Sequence, residues 1–227
     1  MKIGIIVAME KELAQLTALL QDGHTVNING KPLLTGRIGK HDVVLQQCGI
    51  GKVNAAMGTT QLITHCQPDV VLSTGVAGGA DISLHVGEMV VGTSFVYHDV
   101  YCGSECAYGQ LLGQPARYEA SPLLLDTLMK VETAATLRPG LIVTGDWFVD
   151  SADKMREILS HFPEAMAVDM ESCAIAHVCH EFQIPFASLR LISDIPLSDH
   201  KAAQYYDFWE RLADTSFQVV RQLLSDL

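Results

Sequence analysis

Positive charge is what this chain has least of: 15 Lys and Arg stand against 26 Asp and Glu, a formal charge of −11. That balance disfavours nucleic acid or an anionic membrane surface as a partner. No apolar run approaches the roughly 20 residues that a membrane-spanning helix needs. The opening stretch MKIGIIV lacks both the apolar length and the cleavage site of a secretory signal. It reads as a first strand, and a cytoplasmic protein is expected. The six cysteines (Cys48, Cys66, Cys102, Cys106, Cys173, Cys179) fit neither a disulfide framework nor a zinc motif. Cys173, His177 and Cys179 lie close together, but in an apolar segment they read as core packing, and no metal or organic cofactor is expected. Gly49-Ile50-Gly51-Lys52 has the look of a phosphate loop, yet the full Walker spacing is absent and no Ser or Thr follows Lys52. Repeats, linkers and low-complexity tracts are missing too, so residues 1–227 read as one domain.

What is present centres on Ala167 to Ala176, which is apolar or small on every side apart from two acids. The pattern predicts a buried helix from Val168 to Val178. On that helix Asp169 and Glu171, two residues apart, would project to roughly opposite sides and could not share a pocket. Asp169 then reads as a first-turn acid favoured by the helix dipole. Glu171, among small buried neighbours, has to hold either a buried partner or a polar ligand, because an unpaired buried carboxylate costs several kcal/mol.

The rest of the chain alternates strand, turn and helix. Lys2 to Val7 leads into a helix with core positions Leu13, Leu16 and Leu20. At about 100° per residue, Glu12 falls roughly 40° from Leu16 on the inward side, whereas Glu10 points to water. Glu12 is therefore either an acid facing the helix dipole or a functional group in the strand-to-helix turn where α/β sheets bind ligands. Asn29-Gly30 and Gly39-Lys40 mark hairpins linking strands at Thr25–Ile28, Lys31–Ile38 and Asp42–Gln47. A helix from Lys52 to about Cys66 stops at Pro68. The strand Asp69 to Ser73 opens into Thr74-Gly75-Val76-Ala77-Gly78-Gly79, read as a glycine loop that lets a ligand approach the backbone. Glu88 to Tyr97 is a strand, and Val100 to Tyr118 is a long loop of the kind that is functional or interfacial. Further helices are expected at Ser121 to Val131, Ser151 to His161 and Lys201 to Leu224, with a strand at Pro139 to Thr144. Trp147 and Phe148 could stack on a flat ligand or fold back onto the core. In the last strand, Pro185 to Ile192, the guanidinium of Arg190 needs a carboxylate or an anionic ligand. Asp194 lies just past that strand's end. The fold expected is an α/β three-layer sandwich around a mixed sheet.

Together these segments resemble the 5′-methylthioadenosine/S-adenosylhomocysteine nucleosidases, within the nucleoside phosphorylase fold group. The matching pieces are Ile3 to Ile6 with Ala8-Met9-Glu10-Lys11-Glu12, Gly49 to Val53, Thr74-Gly75 with Ala77 to Gly79, Gly145-Asp146 with Phe148, Met170-Glu171, and Arg190 with Ile192-Ser193-Asp194. The resemblance implies a hydrolase that releases adenine from a 5′-modified nucleoside, without a cofactor, as a homodimer. By the same resemblance Asp194, beside Ser193, would protonate purine N7. Glu12, helped by Arg190, would activate water; Glu171 would grip the ribose hydroxyls with Met170 lining the sugar. Phe148 would stack on adenine, the Val149 backbone would read its edge, and Met9 and Ile50 would complete the wall.

Three departures from the family pattern bear on substrate choice. Val76 stands where Ser is usual, Asp169 where Glu is usual (a shortening expected to be harmless), and Val100 to Leu112 runs one residue short without the expected Phe and Tyr. In family members those aromatics cross a dimer interface to cover the 5′ substituent. Alternatives are a phosphorolytic enzyme of the same fold, a nucleosidase for another 5′-modified adenosine such as an aminofutalosine-like compound, and a non-catalytic nucleoside-binding protein. The acidic turn at Met9 to Glu12 argues against the phosphorolytic one, and the presence of both Glu12 and Asp194 against the non-catalytic one.

Overall fold

The computed structural model describes residues 1–28, 30–132 and 135–198, together with residues 205, 208, 222 and 224. The expected closing helix, Lys201 to Leu224, otherwise lies outside the described residues.

Strand β1 (Lys2–Val7) is apolar on both faces and sits in the sheet interior, parallel to β4 (His41–Gln47) on one side and β5 (Val70–Gly79) on the other. Beyond β4 the hairpin signals act as expected. β3 (Lys31–Ile38) and β2 (Gln21–Ile28) follow antiparallel, and β2 forms an exposed edge. On the other side the sheet closes on itself. β5 pairs parallel with β10 (Phe186–Asp194), β10 antiparallel with β6 (Met89–Tyr97), and β6 parallel with β8 (Leu137–Thr144). β8 then pairs parallel with β9 (Ala165–Asp169), which returns antiparallel to β5 through Gly78–Val168 and Gly79–Ala167. A two-residue strand, β7 (Tyr118–Glu119), flanks β6.

Helices cover both faces. α2 (Lys52–Cys66) and α5 (Ser172–Glu181) bring Leu62, Cys173 and Ile175 to a core with Ile6, Val71 and Phe95. α1 (Glu10–Thr17) and α3 (Pro122–Met129) bring Leu16, Leu124 and Leu128 to the opposite face, with Ile3, Leu45, Leu189 and Phe208. α4 (Ala152–His161) packs Met155 and Ile158 on β8. The chain is thus an α/β sandwich of three layers with a mixed sheet.

Two expectations change here. The stretch Thr74 to Gly79 is no loop, because β5 runs through it and only then ends. The apolar segment after Phe162 is a strand followed by a helix. β9 carries Asp169 at its end and α5 begins only at Ser172, with Glu171 in the N-cap position. A continuous apolar run does not separate a buried strand from a buried helix, and the turn at Met170 is what separates them here.

Candidate active site

The ends of β1, β5, β9 and β10 meet the 145–150 loop around a cleft with about 650 Å³ of empty space, counting its open mouth. Glu12 enters from the first turn of α1 and is 1% exposed. Its Oε2 accepts hydrogen bonds from the Ala8 and Met9 N–H groups (3.0 and 2.9 Å), and its Oε1 accepts one from the Val76 N–H (3.0 Å). The N–H groups are free to do this because two lie at a helix start and the third lies on β5 between its pairing with β1, which ends at Ser73, and its pairing with β9, which starts at Gly78. A Cβ at position 75 would lie 2.5 Å from Glu12 Oε1 and 2.6 Å from Arg190 Nη1, so only glycine lets the carboxylate and the guanidinium approach from either side. Burial raises the Glu12 pKa above its ordinary value, while Arg190 and the three N–H donors oppose the rise.

Arg190 does not line the cleft but lies directly beneath it, 1% exposed. Its Nε forms an ion pair with Asp169 Oδ2 at 2.7 Å and donates to Ser172 Oγ at 3.0 Å, and its Nη2 donates to Ser73 Oγ at 3.0 Å. Asp169 Oδ1 accepts from Thr144 Oγ1 (2.6 Å) and from the Glu171 and Ser172 N–H groups (3.3 and 3.2 Å). Asp169 is therefore no first-turn acid of a longer helix. It caps α5 from the end of β9 and neutralises Arg190, so the position where the chain departs from Glu is engaged on every side. Because Asp169 ends a strand and Glu171 stands at the N-cap position of the following helix, both acids line the one cleft, against the expectation from helical spacing. Glu171 Oε1 accepts from the Gly51 N–H at 2.8 Å. Burial raises the Glu171 pKa, with Asp169 adding to the rise and Arg190 opposing it.

Asp194, the last residue of β10, is 8% exposed, and its Oδ1 accepts from Ser193 Oγ at 2.7 Å. Met9, Ile50, Val76 and Met170 form apolar wall between these acids. At the mouth stand Phe148 and the buried Val149, joined by Trp147 and Tyr205, and the Phe148 and Tyr205 rings meet edge to face at 6.0 Å. Trp147, read in the sequence with Phe148 as a stacking candidate, lines the cleft beside it. Tyr205, outside every motif, had no signal in the sequence. Among the described residues, no Lys or Arg side chain lines the cleft. It offers acids to hold and move protons and aromatic faces to stack on a flat base, and its acidic lining repels phosphate.

Comparison with known proteins agrees with this geometry. The chain matches the phosphorylase superfamily over residues 2–225. It is similar to a 5′-methylthioadenosine/S-adenosylhomocysteine nucleosidase from S. pneumoniae, solved with a transition-state inhibitor, at 36% identity and a TM-score of 0.93, covering 100% of this chain and 99% of that one. It is also similar to the nucleosidase of Neisseria meningitidis bound to methylthio-immucillin-A (33%, TM-score 0.94, 100% and 99% covered). The Colwellia psychrerythraea nucleosidase bound to adenine matches at 37%, with a TM-score of 0.92 and 100% and 96% covered. The chain belongs to the phosphorylase superfamily and, within it, to the 5′-methylthioadenosine/S-adenosylhomocysteine nucleosidases.

Proposed function

We propose that this chain hydrolyses the N-glycosidic bond of 5′-methylthioadenosine and S-adenosylhomocysteine, giving adenine and the 5′-substituted ribose. The observation that carries the reading is a cleft holding two buried acids, Glu12 from the first turn of α1 and Asp194 from the end of β10, beside an aromatic mouth and, among the described residues, with no Lys or Arg in its lining. Asp194 gives a proton to purine N7 as the bond from C1′ to N9 breaks, so adenine departs neutral. Glu12 takes a proton from water, whose oxygen bonds to C1′. Such proton transfers contribute typically 10²–10⁴ each in rate. Glu171 accepts hydrogen bonds from the ribose hydroxyls, which strengthen as positive charge grows on the sugar. Met170 lies against the sugar, Phe148 stacks on the base, and the Val149 backbone reads its edge. Met9, Ile50, Ser193 and the apolar Val76 complete the walls.

Residues 1–227 act in this reading as one cytoplasmic domain in nucleoside catabolism and methionine salvage. The unit is a homodimer whose Val100 to Leu112 segment closes the partner's 5′ pocket. Its support is the irregular 100–112 stretch with Tyr101 and Leu112 exposed, beside the family's arrangement. The departures favour a second reading: with Val76 in place of a hydroxyl and no Phe and Tyr cover from Val100 to Leu112, the preference for the methylthio compound over S-adenosylhomocysteine is small, and another 5′-modified adenosine is the alternative substrate. Adenine release from a panel of 5′-substituted adenosines, with and without phosphate, tests the hydrolytic reading and the substrate preference. Hydrolysis without phosphate is expected, and a ribose 1-phosphate product would refute it.

A further inference from the structure

A polar knot lies behind the aromatic mouth, and the roles above leave it unused. Lys52 Nζ contacts both carboxylate oxygens of Asp99 at 2.7 Å, just after β6. Asp99 Oδ2 also accepts the Asp146 N–H at 2.8 Å, in the loop after β8. Asp146 Oδ1 in turn accepts the Lys52 N–H at 2.7 Å. The start of α2 and two loops distant in sequence are thus tied in one cycle. Burial works against the Asp99 charge, but its hydrogen bonds from Lys52 and Asp146 hold its pKa below the ordinary value.

The cycle ends at the start of α2, whose own N-cap residue, Gly51, has no side chain and a φ of 93°. Asp146 supplies the missing cap from another loop. A Cβ at position 51 would lie 2.9 Å from Asp146 Oδ1, so glycine is what admits the cap. The adjacent N–H, that of Gly51, is the one bonded to Glu171. Two consecutive N–H groups at one helix start therefore hold Glu171 and the loop that carries Trp147, Phe148 and Val149.

We propose that Lys52, Asp99 and Asp146 are positioning residues that fix the base-stacking loop in register with the Glu171 carboxylate, so that base and sugar are gripped at one spacing. The inference rests on the nucleosidase reading. Phe148 is more than half exposed, whereas its loop is anchored at Asp146.

The test uses Lys52→Met, Lys52→Arg, Asp99→Asn and Asp146→Ala in the full chain, with kcat, KM, adenine Kd by calorimetry and Tm. Lys52→Met and Asp99→Asn should raise KM and adenine Kd about tenfold, with kcat within threefold of wild type. Lys52→Arg should return both constants to within threefold. The Lys52→Met/Asp99→Asn double variant should be no worse than either single, since both cut the same cycle. A merely structural role would lower kcat with the folded fraction and leave KM and adenine Kd unchanged, which overturns the proposal. Arginine failing to restore KM and adenine Kd overturns it too. If wild type binds adenine but cleaves none of the nucleosides, the nucleosidase reading falls, while the adenine Kd series still decides the positioning role.

Discussion

The floor and the mouth of the cleft are held in different ways. On the floor, Arg190, Asp169 and Glu12 are almost wholly buried, and serines, a threonine and backbone N–H groups surround their charges. At the mouth, Trp147 and Phe148 leave 55% and 60% of their surface exposed. Charges that meet a transition state gain most when their partners are oriented beforehand, since reorientation then costs nothing during reaction. An aromatic face gains by the opposite arrangement, staying wet until a base covers it, so that its burial adds to affinity. Chemistry sits on the rigid side and affinity on the open side.

The largest effect that would break this contrast is on the floor. Asp194→Asn and Glu12→Gln should each lower kcat by about 10²–10⁴ with little change in KM, measured by adenine release. Near-normal turnover in either would remove its assigned proton transfer. Next comes Arg190→Met, which leaves Asp169 buried without its ion-pair partner. Urea unfolding should show a loss of about 3–5 kcal/mol, whereas a loss below 1 kcal/mol would mean that Asp169 is satisfied without it. Smaller is Phe148→Ala at the mouth, worth about 0.5–1.5 kcal/mol. It should raise KM roughly twofold to twelvefold, with kcat and Tm nearly unmoved. A falling Tm would show that the mouth is as structural as the floor.

The last effect is on the pH dependence of stability. Glu12 and Glu171 have pKa values raised above 4.5 by burial, so the native state keeps protons that the unfolded chain releases. Their contribution is complete below about 4.5 and is lost as pH rises through the raised values. His98, lowered from 6.5 by burial, acts the other way: its contribution is present above 6.5 and is lost as pH falls. The Tm of Glu171→Gln, compared with wild type, should therefore improve steadily as pH rises from about 4.5 to 8. A constant difference would place the titration elsewhere.

Much of this arrangement was legible in the sequence. Glu12 faced inward by helical geometry alone, and a buried Arg190 required a carboxylate. The hairpins followed from Asn29-Gly30 and Gly39-Lys40. What the sequence hid was non-local. Nothing near Arg190 indicates that Asp169, rather than another acid, is its ion-pair partner. Spacing on an assumed helix separated Asp169 from Glu171, because apolar runs give no period at a strand-to-helix switch. Lys52 read as a fragment of a phosphate loop, and its two carboxylate partners lie 47 and 94 positions away. Tyr205 belongs to no local pattern at all.

The strand ring also orders assembly in time. β10 is the last strand in the described chain, and it joins β5, at residues 71–78, to β6, at residues 89–91. Until it docks, the ring has two unpaired edges and neither Arg190 nor Asp194 is in place. Contacts between segments about 100 residues apart form slowly, because loop closure must precede them. A ribosome-bound chain halted before residue 186 should therefore show native-like pairing of β1 to β4 and no affinity for adenine, and competence should arrive with β10 in a single step.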